Sequence, residues 1–313
     1  MAHHNIPSVK KLLFAFLVPI LIPATSFSAN PIRLPRGNSS WSAYANELAL
    51  RILKVTENHK APDKIEWRAE YQAQKRQIRN VSEGIDFDVI WTMTSTERES
   101  HSNPVHVDIF KGLMGSRVFL IRKDMAQKFA NIKTIEDLKK INFVQGQDYP
   151  DTPILKSAGL TVHEGDAFGD MIEMIRHKRA DAFPRGIPEP LIEIDMFHID
   201  QDISLENHVM ISYEAPCYFF FSKKDPTLRE RFKKGFEIIE KDGSFDRIFN
   251  KHFANVIKKI NVTNRVIFHI NNPYLSEQSK EALKSQKLWY NRGTLDPKKM
   301  IALPTVSTEH REN

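Results

Sequence analysis

Phe87-Asp88-Val89-Ile90-Trp91-Thr92-Met93 is the stretch that decides the fold. This largely apolar run stands just behind a polar, helix-prone stretch at 73–83 and the Gly84 that stops it, so it reads as a buried strand entered from a helix. Upstream the same alternation appears. Residues 31–35 read as a short strand, 41–58 place Ala45, Leu48, Ile52 and Val55 at helical spacing, and 65–71 alternate apolar and polar residues as a strand does. Strands alternating with helices imply an α/β protein with parallel, doubly wound sheets.

Downstream, Arg117-Val118-Phe119-Leu120-Ile121-Arg122 is a further buried strand, Thr134 can cap a short helix reaching Leu138, and 141–144 begins another strand. A helix at 168–179 carries Phe168, Met171, Ile172 and Ile175 on one face, the spacing of a core-facing helix. After a strand at 217–222, Asp225-Pro226 starts a helix with Leu228, Phe232, Phe236 and Ile239 in one stripe, and Asp242-Gly243 stops it. At 313 residues the chain exceeds an average domain of roughly 150 residues, so two lobes are expected. Residues 29–118 and 222–290 would make lobe one, the latter carrying a C-terminal extension, and 119–221 lobe two. The strands at 117–122 and 217–222 would be the two crossing segments, and 291–313 a polar tail.

The N-terminus has a different character. Lys10 and Lys11 precede an apolar run at 12–22, followed by Ala24, Thr25, Ser26, Phe27, Ser28 and Ala29. Charge, apolar core and small residues in that order are a secretory signal peptide. Interrupted by Pro19 and Pro23, the run falls short of the roughly 20 residues a spanning helix needs. Residues 1–28 are therefore expected to be removed near Ser28 and the protein to reside in a periplasm. The chain carries 45 basic and 39 acidic residues, a net +6, and loss of Lys10 and Lys11 leaves +4. Such mild, interleaved charge lacks the dense basic stripe of a nucleic-acid binder. The single cysteine, Cys217, cannot form an internal disulfide.

Several strings resemble one family. Trp91-Thr92-Met93-Thr94-Ser95-Thr96-Glu97-Arg98 is similar to the threonine-rich segment ending in Glu-Arg of the family 3 bacterial extracellular solute-binding proteins, the periplasmic amino-acid-binding type. Arg179-Ala180-Asp181-Ala182 is similar to a strand entry in that family's second lobe. Lys241-Asp242-Gly243-Ser244-Phe245-Asp246-Arg247-Ile248-Phe249 is similar to the turn of its C-terminal helix pair. The resemblance spans roughly 31–253 and implies the type II periplasmic-binding-protein fold: two lobes, two crossings, and a small ligand buried when the lobes close.

The resemblance also implies that Arg98 grips a ligand carboxylate, a task suited to a planar guanidinium that makes two parallel hydrogen bonds, with Ser95 beside it. The residues alone equally allow Arg98 to pair with Glu97 or Glu99 and Ser95 to be a turn residue. Trp41 and Trp91 fit an aromatic wall for the ligand or simple core packing. In the loop at 147–152, Tyr149 and Thr152 precede a helix whose free N–H groups favour an anion. One departure stands out: where the family's amino-acid binders place an aspartate, this chain has Phe183-Pro184-Arg185-Gly186. Arg185 either faces Arg98 across the cleft, selecting a doubly anionic or amine-free ligand, or pairs with Glu189.

Other classes find less support. The sequence has no nucleophile elbow, phosphate loop, zinc-protease helix or dinucleotide fingerprint. Glu97, Asp151 and Glu189 are the candidate acids for cleft catalysis, and His101, His106 and Asp108 lack the i, i+4 spacing of a helical zinc pair. The expectation is a monomeric binding protein, not an enzyme, without metal or cofactor, that takes an amino acid or small organic acid and serves an ABC-type transporter or a membrane sensor.

Overall fold

The computed structural model describes residues 1, 30–37, 39–58, 62–69, 74–286 and 300–302. The expected signal peptide, beyond residue 1, thus lies outside the described residues. In chain order the first half begins with β1 (Ile32–Arg36), α1 (Ser40–Val55), β2 (Ile65–Ala69), α2 (Gln74–Glu83), β3 (Val89–Met93), α3 (Thr96–His101) and β4 (Asn103–Val105). β1 and β2 pair in parallel, and β3 contacts β1. Helix α1 starts where the Ser39 hydroxyl accepts the Ser42 N–H, and it buries Tyr44, Ala45, Leu48, Ala49, Ile52 and Leu53 along one stripe. Each Leu or Ile so buried stabilises by about 1.5–3 kcal/mol.

The middle of the chain builds a second unit: β5 (Ser116–Arg122), α4 (Ala126–Ala130), α5 (Ile135–Leu138), β6 (Asn142–Gly146), α6 (Asp151–Ser157), β7 (Thr161–Gly165), α7 (Phe168–Arg176), β8 (Ala182–Gly186), α8 (Pro190–Met196), β9 (Ile203–Leu205) and β10 (Val209–Ser212). Here β6 pairs in parallel with β7 and β8, whereas β5 runs antiparallel to β8, β9 and β10. The sheet is mixed, not uniformly parallel, because the strands that enter and leave this lobe lie side by side in opposite directions. The chain then forms β11 (Cys217–Phe221), α9 (Thr227–Lys241), α10 (Ser244–Ile260), β12 (Val266–His269), α11 (Glu277–Ser285) and β13 (Met300–Ala302).

Two expected boundaries move. β5 pairs only with lobe-two strands among the described residues, and β11 lies between β3 and β4 of lobe one, so neither strand is itself a crossing. We place the crossings at 106–115 and 213–216 instead. A buried apolar run signals a strand but not the sheet that covers it. The two crossings are stitched together: the Asp108 carboxylate accepts N–H groups from Phe110 (3.1 Å), Gly112 (2.6 Å) and Cys217 (3.0 Å), and the Tyr213 N–H bonds the Gly115 carbonyl at 3.0 Å. A Cβ at Gly115 would collide with the Tyr213 carbonyl oxygen, so only glycine permits this approach. Burial pushes the Asp108 carboxyl up to about 6 against those bonds.

The C-terminal extension makes a third path between the sheets. β12 adds in parallel to β10 of lobe two, and β13, inside the expected polar tail, adds to β12. The chain returns to lobe one, where Ser276 and Ser279 donate to Glu99 at 2.6 and 2.7 Å and Gln286 bonds the Asp108 N–H and the His106 carbonyl. Burial raises the Glu99 carboxyl, but hydrogen bonds from His106, Ser276, Ser279 and Thr94 outweigh it and hold it at about 2.

Candidate functional site

Between the two sheets lies a cleft of two connected chambers. The inner chamber, 380 Å³, has Trp41, Gln74, Trp91 and Thr92 on its lobe-one side and Arg117, Asp151, Phe168, Arg185, Glu189 and Glu193 on its lobe-two side. The outer chamber, 840 Å³, is walled by α2, the Thr94–Arg98 turn, the loop at 147–154 and Tyr274. Tyr149 and Pro150 line both.

Arg98 sits on the lobe-one wall. The Ser95 hydroxyl accepts the Arg98 N–H at 3.2 Å as the cap of α3, which fixes the direction in which the Arg98 side chain leaves the helix. Its guanidinium turns inward, with Nη1 donating to Thr92 Oγ1 (2.6 Å) and the Met93 carbonyl (2.8 Å) and Nη2 donating to Gln74 Oε1 (2.9 Å). All three acceptors are neutral, and no carboxylate among the described residues makes an ion pair with Arg98, although it is only 7% exposed. The alternative pairing with Glu97 or Glu99 is therefore not formed; Glu99 faces His106 and the serines of the extension. Burial pulls the Arg98 pKa down to about 10, outweighing the more distant charges of Asp151, Glu97 and Asp148.

Lobe two is arranged differently. Arg185 on β8 pairs with Glu189 at 2.7 Å and with Glu193, whose other oxygen accepts from Nε at 2.8 Å. Arg117 on β5 pairs with Asp151 at 2.5 Å and lies 3.5 Å from Glu189. Asp151 also accepts from the Tyr213 hydroxyl. Burial disfavours the Arg185 charge, yet the carboxylates of Glu189 and Glu193 raise its pKa; burial raises that of Glu193. This buried cluster holds three carboxyl groups (Asp151, Glu189, Glu193) against two guanidiniums (Arg117, Arg185).

Of the two readings open for Arg185, the structure has the pairing with Glu189, joined by Glu193, and not a second unpaired arginine facing Arg98. Glu189 Oε2 also accepts the Gly186 N–H at 2.6 Å. Glu189 at the N-cap of α8 and Glu193 within it stand four residues apart, a spacing visible in the sequence. Arg117 was legible only as a charged residue opening an apolar strand.

Trp41 and Trp91 are both half-buried and line the inner chamber, with the Trp91 ring centroid 5.4 Å from that of Phe110. Tyr149 stands between the chambers, its ring so close to Gly146 that a Cβ there would lie 2.7 Å away. Thr152 does not join the site: it is 3% exposed, donates to the Gly146 carbonyl at 2.7 Å and lines neither chamber. Its hydroxyl completes the turn that presents Tyr149.

Two α/β lobes with a cleft at their junction define the type II periplasmic-binding-protein fold. No family model matches the sequence, and no curated protein matches it. Solved structures do. An ancestral arginine-binding protein bound to arginine superposes with a TM-score of 0.53 at 18% identity, covering 72% of this chain and 99% of that chain. A putative ABC-transporter binding component from Wolinella succinogenes, complexed with lysine, gives 0.53 at 15% identity over 71% and 95%. A histidine kinase sensor domain with similarity to periplasmic binding proteins gives 0.52 at 15% identity over 72% and 97%. These likenesses establish the fold. No helix among the described residues is long and apolar enough to cross a membrane.

Proposed function

We propose that this protein is an exported, periplasmic solute-binding protein that captures a small zwitterion of the amino-acid type by lobe closure and presents it to an ABC-type transporter. The observation that carries this reading is the split of charge across the cleft. On lobe one, Arg98 is a buried cation bonded only to neutral acceptors. On lobe two, the cluster around Arg185 and Arg117 holds one carboxyl group more than it has cations. A carboxylate docked on Arg98 and an ammonium docked against Asp151 or Glu189 would complete both walls at once, and neither wall alone binds the whole ligand. Such a ligand favours the closed form through its differential contacts, which is how binding drives a hinge. A sensing partner is the second reading, favoured by the kinase sensor domain among the similar structures.

The test is a thermal-shift and calorimetric screen of amino acids, their deaminated acids and their decarboxylated amines. Amino acids should stabilise the protein, and analogues lacking either charged group should bind at least about tenfold more weakly. Equal binding of the deaminated acids would remove lobe two from recognition.

A further inference from the structure

The outer chamber is too large and too well walled to be only an entrance. At 840 Å³ it has more than twice the 380 Å³ of the inner one, and ligand pockets as a class run about 300–1,000 Å³. Its walls already meet at the rim, because Lys75 on α2 and Asp148 on the opposite loop lie 3.4 Å apart across it. The rim charges cancel in pairs, Lys75 with Asp148 and Arg79 with Glu83. The rest of its lining sets apolar residues, Ile78, Tyr149, Pro150, Ile154, Pro273 and Tyr274, beside Glu97, Arg98 and His101. Pro273 and Tyr274 come from the C-terminal extension, clamped where the Thr96 N–H and hydroxyl both donate to the Tyr274 carbonyl, at 2.8 and 3.0 Å. The Tyr274 ring itself is left 41% exposed.

We propose that this chamber is a further subsite of the ligand site, and that the site takes a short zwitterionic peptide of two or three residues in preference to a single amino acid. The assignment rests on the function proposed above and deepens it. The peptide ammonium lies against the lobe-two acids, an oxygen of its carbonyl or carboxylate on Arg98 in the wall of the larger chamber, and a bulky C-terminal side chain between Tyr149 and Tyr274. An extended peptide advances about 3.3–3.6 Å per residue, so two or three residues reach from one chamber into the next.

Calorimetric titration of the full exported protein with phenylalanine, Ala-Phe and Ala-Ala-Phe tests this. The peptides should bind about tenfold or more tightly than phenylalanine. Tyr274→Ala, at an exposed ring, should lower peptide affinity about three- to tenfold while leaving phenylalanine unchanged, and Tyr274→Trp should restore it. If phenylalanine binds through Arg98 but the peptides bind no better, or if Tyr274→Ala leaves their affinity unchanged, the subsite is overturned while the amino-acid reading stands. If neither phenylalanine nor the peptides bind, the subsite is overturned, and if no amino acid of the screen above binds either, the amino-acid reading falls with it.

Discussion

Arg98 on lobe one and Arg185 on lobe two are buried almost equally, at 7% and 5% exposure, yet the two walls treat the same side chain in opposite ways. Arg185 is enclosed by two glutamates placed four and eight residues further along its own chain. Arg98 is bonded to a hydroxyl, a carbonyl and an amide oxygen, none of them charged. The first is a completed structural ion pair; the second has no ion-pair partner among the described residues. An unpaired buried charge is costly, and the function proposed above accounts for it by a ligand that supplies the missing half.

That contrast can be broken most decisively at Arg185. Arg185→Ala leaves Glu189 and Glu193 buried without their cation and should destabilise the protein by about 3–5 kcal/mol in urea unfolding. A loss confined to ligand affinity would mean that Arg185 is the binding arginine after all. Arg98→Ala should do the reverse, costing about 2–5 kcal/mol of ligand affinity by calorimetry with little change in the unfolding midpoint. Glu189→Gln sharpens the charge argument: amino-acid affinity should fall about tenfold, while deaminated analogues bind as before. At Thr152, replacement by Val should cost about 1 kcal/mol of stability and leave ligand affinity intact, since its hydroxyl serves the Gly146 turn.

A pH experiment probes the lobe-one rim. The folded pKa of Glu99, about 2, lies below its ordinary 4.5. Its bonds to the extension are therefore at full strength above pH 4.5 and are lost as pH falls toward 2. Hydrogen exchange in residues 272–286, corrected for intrinsic rate, should accelerate over that window, and Glu99→Gln should show the faster exchange already at neutral pH.

Much of the fold was legible in the chain. The helical stripes of α1, α7 and α9 and the strands β3, β5, β6 and β11 follow from apolar periodicity, a local property that neighbouring residues settle among themselves. The Trp91–Arg98 string likewise pointed to the residue that stands as the bare cation. Other features were not legible for a different reason. Which sheet takes β5 and β11, and that β12 joins lobe two while α11 returns to lobe one, depend on pairings between residues far apart in sequence.

What the sequence determined by itself, then, is the set of elements and the identity of the charged side chains, because spacing and residue type carry that information within a dozen residues. What only the tertiary structure decided is the charge state of the cleft. Arg117 meets Asp151, Arg185 meets Glu189 and Glu193, and Arg98 meets no acid among the described residues. Ionic interaction falls off with distance and grows on burial, so only the folded arrangement says which charges are paired and which one is not.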